Sequence, residues 1–313
     1  MPDSMPSRAQ AKEPQFRHFI FAPGPQDRNH PGSYALSFLV FVLIALGLEG
    51  LADSALFALS IDNRGLGDAL SLLAARDAHL GWRWLFLFFG VSYSIIALSL
   101  GVAVRLVHNR KPLTLLTDRR RFDLTRAFKG FIIYSLLLTA PLGVYLWLGG
   151  SAPRLHFDPS ELAQLLILSC LLLTIQTSTE EALFRGYLTQ FVASMTDSRA
   201  IIVMLPSLLF MFAHFDNPEV GHHPQVLGFY FAFGAFMSLI ALRERGLELT
   251  IAAHFSNNLV NSVLFRTPDG IFQTPTIFVL PDTQHGAPLI ASLSGLLAPA
   301  IYWVLTAVVL AER

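Results

Sequence analysis

The chain has 313 residues, of which 53% are hydrophobic and only 14% charged, with 22 basic and 22 acidic side chains in balance. A soluble domain carries about a quarter of charged residues, so the composition excludes an ordinary water-soluble fold; the net charge of zero hides where the basic residues fall along the chain, and no nucleic acid is expected as a partner. The one cysteine, Cys170, excludes an intramolecular disulfide and a cysteine metal centre, and inside its apolar run it reads as a small core residue.

Residues 1–32 are polar and rich in proline, with Arg8, Lys12, Arg17 and Arg28 spread among them, and read as a flexible cytoplasmic arm. The arm lacks the short apolar core and cleavage site of a secretory signal, so the first span is expected to be retained as an anchor. A spanning helix needs about 20 mostly apolar residues. On that measure about eight segments qualify, at 34–53, 84–106, 130–149, 161–180, 199–215, 225–242, 248–265 and 287–310. The predicted fold is an all-α polytopic membrane helix bundle over 33–313. The loop 54–83 carries an amphipathic stretch, 66–78, suited to a membrane surface.

Orientation follows from lysine and arginine. With the amino terminus in the cytoplasm, 17 of these residues fall inside and 5 outside, which places both termini in the cytoplasm. The densest cluster, Arg119, Arg120 and Arg121 with Arg126 and Lys129, reads as a topology determinant. No internal repeat is evident, against the inverted halves of many transporters. Nor is there a soluble segment large enough for a separate activity.

The chemistry gathers around Thr177-Ser178-Thr179-Glu180-Glu181-Ala182-Leu183-Phe184-Arg185-Gly186, directly after an apolar run. A charge at bilayer depth costs about 2.5–3.5 kcal/mol even on lenient scales, and so points to function. On a helix Glu181 and Arg185 face each other four residues apart. Glu180 points about 100° away and is free for chemistry. Two later apolar segments carry histidine. In one, Phe210 and His214 share a helix face; in the other, His254 and Asn258 share a face that Asn261 continues. One histidine alone reads as an interhelical hydrogen bond. Three helices that each offer polar groups read as a polar cavity.

A carboxylate with an imidazole can take a proton from water and later protonate a leaving amine. A second imidazole and a carboxamide can donate to an oxyanion. Hydrolysis of an amide by activated water is the reaction class these residue types support. The pair His222 and His223, in a loop, reads as solvated.

These motifs, Glu180-Glu181-x-x-x-Arg185, Phe210-x-x-x-His214 and His254-x-x-x-Asn258, resemble in order those of the CPBP family of intramembrane endopeptidases, which includes the CAAX prenyl endopeptidases and bacteriocin-processing (Abi) proteins. The resemblance covers about residues 160–265. It implies that Glu180 is the catalytic base, that His214 helps to activate water, and that His254 and Asn258 stabilise the oxyanion. Glu181, Arg185 and Phe210 would orient the site. No cofactor is expected. Zinc held by Glu180, His214 and His254 is the lower-ranked alternative, because a carboxamide is a poor zinc ligand and no His-Glu-x-x-His helix is present.

The expected partners are a lipid bilayer, in a bacterial-type plasma membrane, and a peptide or membrane-protein substrate, lipidated or not. A non-catalytic scaffold or immunity protein of the same fold is the runner-up, and a proton-coupled transporter ranks third. One difficulty remains in the depths. His214 lies fifteen residues from Arg199, whereas Glu180 and His254 lie near the predicted ends of their spans. Either the fourth helix runs on past Arg185, or the fifth span begins later.

Overall fold

The computed structural model describes residues 28–59, 78–147, 154–155, 158–266, 273–279 and 287–310. Most of the amino-terminal arm, and the amphipathic stretch 66–78 up to residue 77, lie outside these residues. The described chain is almost wholly helical: α1 (Pro31–Leu59), α2 (Ala78–Val107), α3 (Leu124–Trp147), α4 (Pro159–Met195), α5 (Arg199–Phe212), the short α6 (Pro218–His222), α7 (Val226–Glu244), α8 (Glu248–Leu259) and α9 (Ala287–Val309). Three two-residue strands, β1 (Arg154–Leu155), β2 (Phe265–Arg266) and β3 (Phe278–Val279), form a small sheet in the order β1-β3-β2.

Four helical segments among the described residues are long and apolar enough to cross a membrane: Pro31–Ala52, Phe89–Val107, Pro159–Met195 and Val226–Glu244. The outward surface is apolar, as a bilayer requires. On α3, Leu124, Phe128, Ile132 and Leu136 form an exposed stripe at four-residue spacing, and Leu297, Ile301, Val304 and Val308 form one on α9 at spacings of three and four. Cys170 also faces outward, which corrects the core position expected for it. Its apolar neighbours are those of a lipid-facing surface, where an apolar residue needs no protein partner.

The other candidate spans are helical too, with 130–149 falling on α3, 199–215 on α5, 248–265 on α8 and 287–310 on α9, although over the described residues none of these meets that measure of length and apolarity. The segment predicted at 248–265 is α8, closed by a π-helical turn at Val260–Leu264, and it is enclosed by the bundle. Its small buried residues Ala252, Ala253 and Ser256 let neighbours approach closely. Ser256 meets Ser135 of α3 at 2.7 Å, and the Tyr302 hydroxyl of α9 donates to the Leu249 carbonyl at 2.9 Å. The span predicted at 161–180 is corrected to a helix of 37 residues, Pro159–Met195, capped by the Asp158 carboxylate, which accepts from Ser160 N and Glu161 N. Two π-helical turns, Ser169–Leu173 and Ala182–Leu188, bracket Glu180 and Glu181. Such turns widen the helix and shift which side chains share a face.

This length settles the depths. Helices α4 and α5 are joined through residues 196–198, so positions equally far from the joint lie at similar depth. Glu180 precedes Met195 by fifteen residues and His214 follows Arg199 by fifteen, about 22 Å each at helical rise. Helix α8 reaches the same level because it starts recessed. A segment containing a 3₁₀ turn (Pro112–Leu115) enters the bundle there: the Leu116 carbonyl accepts from Leu247 N at 2.7 Å, and a Cβ on Gly186 would lie only 2.6 Å from the Leu115 carbonyl oxygen. The absence of a side chain at Gly186 is what lets the backbones approach. Ion pairs hold this end: Arg119 with Glu248 at 3.4 Å, Arg126 with Glu244, and Arg245 with Asp118 at 2.5 Å. Two members of the basic cluster thus also tie α3 and its preceding loop to α7 and α8.

Candidate active site

The pair foreseen on one helix face forms. Arg185 Nη1 donates to Glu181 Oε1 at 2.9 Å, with both side chains fully buried. The guanidinium lies 4.0 Å from the centroid of the Phe210 ring, so the cation is held by a carboxylate on one side and an aromatic face on the other. Glu181 also accepts from His254 Nδ1 at 2.8 Å. It therefore joins α4 to α8.

Glu180 is buried and less free than the sequence suggested. Its Oε1 accepts from the Tyr93 hydroxyl of α2 at 2.5 Å and from Gln176 Nε2 at 3.1 Å. Its Oε2 is buried without a hydrogen-bond partner, and faces His254 Nε2 at 3.7 Å and His214 Nε2 at 4.0 Å. Groups separated by more than about 3.5 Å have the spacing at which water bridges.

The partners of the two histidines fix their protons. His214 Nδ1 lies 2.8 Å from the Phe210 carbonyl, which can only accept, so Nδ1 carries hydrogen. The Glu181 carboxylate imposes the same on His254 Nδ1. In each neutral ring the Nε2 turned toward Glu180 is consequently an acceptor. The His214 ring is held between Phe210, at 4.4 Å, and Tyr230, stacked at 4.2 Å. Tyr230 in turn donates to Glu219 and accepts from Asn217 Nδ2 at 2.8 Å.

All four residues expected to be catalytic, Glu180, His214, His254 and Asn258, come together, as do Glu181, Arg185 and Phe210. Asn258 Nδ2 donates to Gln176 Oε1 at 3.1 Å. Asn261 is not drawn in: it is exposed, and its carboxamide bonds to the Asn257 carbonyl of its own helix at 2.8 Å. His222 is exposed as expected, but it ends the short helix α6 rather than lying in a loop, which corrects that part of the expectation. Among the described residues no group of three or more His, Cys, Asp or Glu side chains is arranged to hold a metal ion.

Tyr93, Gln176 and Tyr230 were missed. Gln176 had a signal, since it lies four residues before Glu180 on one helix. Tyr93 and Tyr230 had none, because tyrosine in an apolar run is indistinguishable from packing.

Fold and site together define a polytopic α-helical membrane protein with a buried glutamate and histidine centre at the meeting of α2, α4, α5 and α8. Residues 161–260 match the family model described as type II CAAX prenyl endopeptidase Rce1-like. The resemblance read from the three motifs is therefore upheld over the segment that carries them. An uncharacterized protein of Bacillus subtilis (strain 168), YyaK, is 28% identical over 182 residues, 57% of this chain and 61% of that protein. The match thus spans less than two thirds of the relative's length. No solved structure matches significantly.

Proposed function

We propose that the protein is an intramembrane endopeptidase that hydrolyses a peptide bond of a membrane-associated peptide or protein by water activated at Glu180. The observation that carries this reading is Glu180 Oε2, buried and unpartnered, with the Nε2 atoms of His254 and His214 at 3.7 and 4.0 Å. A water bound there has a carboxylate oxygen to take one proton and the His214 lone pair to orient the other.

Attack on the scissile carbonyl gives a tetrahedral intermediate. For this His254 must first take up a second proton from solvent; the imidazolium, still donating from Nδ1 to Glu181, then offers Nε2–H to the oxyanion. The proton taken by Glu180 then passes to the leaving amine. Arg185 keeps Glu181 ionised and in place, so that His254 keeps its orientation. The mechanism so drawn needs no metal, because the Glu180 carboxylate itself takes the proton from water.

The substrate class is a CAAX-type or leader-like segment delivered from the bilayer, with both termini of the enzyme in the cytoplasm of a bacterial-type plasma membrane. The test is proteolysis of fluorogenic prenylated and unprenylated peptides by purified protein in liposomes, with and without a strong chelator. Wild type should cleave and be spared by the chelator, whereas Glu180→Gln and His254→Ala should be inactive though folded. Chelator-sensitive cleavage would revive zinc on Glu180, His214 and His254. A folded wild type that cleaves no peptide would favour a scaffold or immunity role.

A further inference from the structure

The two oxygens of Glu180 have unlike surroundings. Oε1 accepts two hydrogen bonds, from Tyr93 and Gln176, while Oε2 faces the imidazoles with no hydrogen-bond partner. An ionised carboxylate only accepts. Gln176 must therefore turn its NH₂ toward Glu180 and its carbonyl away, and the group beyond that carbonyl must be a donor. That group is the Asn258 carboxamide nitrogen at 3.1 Å, and the Asn258 oxygen accepts in turn from Asn257 Nδ2 at 3.2 Å. The charge at one end sets the polarity of the whole row.

We propose that Asn258 acts on the reaction through Gln176. It holds the Gln176 amide in the one orientation that donates to Oε1, and with Tyr93 this occupies that oxygen, leaving Oε2 to take the proton from water. Tyr93, Gln176 and Asn258 are then positioning residues, and Asn258 is not the direct oxyanion donor that the family resemblance implies. One helix face of α8 performs two tasks: His254 addresses Oε2, and four residues later Asn258 addresses the partner of Oε1. The kinetic consequence rests on the proteolytic reading, whereas the hydrogen-bonded row does not.

A double-mutant cycle separates relay from direct contact. Gln176→Met and Asn258→Leu keep volume but remove the amides. Each should lower kcat by about 10- to 100-fold, the range for a hydrogen bond to a charged group, with KM nearly unchanged. The double variant should be no slower than Gln176→Met alone, because both remove one interaction. Multiplied losses would overturn the relay. Asn258→Asp is the sharper variant: a carboxylate there recruits the Gln176 NH₂ and turns its carbonyl toward Glu180, so the loss should match that of Gln176→Met with the fold intact. Full activity in that variant would equally overturn the relay. Asn261→Ala, on the same helix and outside the row, should match wild type.

Infrared difference spectra against Glu180→Gln report the carboxylate without any turnover. The Glu180 antisymmetric stretch should shift alike in Gln176→Met, Asn258→Leu and their double variant. An unshifted band in Asn258→Leu would refute the row even if no peptide is ever cleaved.

Discussion

Removing Arg185 should cost the fold more than any other single change near the site. Its side chain and that of Glu181 are 1% and 0% exposed, so solvent does not screen their interaction. Leucine at 185 leaves the Glu181 carboxylate buried with His254 as its remaining ionisable partner, and breaking a buried pair on one side costs about 3–5 kcal/mol. At about 2–4 °C per kcal/mol for a chain of this size, the thermal midpoint should fall by about 6–20 °C.

Lysine at 185 retains the charge but loses the planar fork and much of the contact with Phe210, and should fall between leucine and wild type. Replacing both Glu181 and Arg185 with leucine removes charge and counter-charge together. That exchange should recover most of the loss, yet leave no activity, since His254 loses the acceptor at Nδ1. Thermal unfolding in mild detergent, followed by circular dichroism beside peptide cleavage, measures both quantities. Equal destabilisation by Arg185→Leu and by the double exchange would refute the account, because it would mean that the stranded carboxylate is not what costs the energy.

Gly186→Ala places a Cβ 2.6 Å from the Leu115 carbonyl oxygen, a backbone atom that cannot swing aside. Overpacking of this kind costs about 1–3 kcal/mol, and the lower midpoint should come with reduced activity, since a shifted Leu115 also moves Leu116, whose carbonyl holds the start of α8. Ser256→Ala removes the 2.7 Å contact with Ser135 between α3 and α8 and should cost about 0.6 kcal/mol, the average for interhelical hydrogen bonds in a membrane. A cost above 2 kcal/mol there would show that the pair does more than join helices. Glu180→Gln keeps the shape of the side chain but removes the base, and should lower the rate by about 10²- to 10⁴-fold with an unchanged midpoint.

The sequence by itself determined what depends on composition and on helical pitch. Sparse charge and long apolar runs required an all-α membrane bundle, and three motifs in order marked a segment at about 160–265. The Glu181–Arg185 pair was legible because residues four apart on a helix are neighbours on one face. Distances between helices are not local, and tertiary structure decided them. Glu180 and His214 share a depth only because α4 runs on to Met195, and His254 joins them only because α8 starts beside Leu116. The same packing drew in Tyr93 from α2, left Asn261 outside, turned Cys170 outward and fixed which nitrogen of each histidine bears hydrogen. Each of these depends on which neighbour a side chain meets across a helix interface, and the spacing of residues along one chain does not encode that.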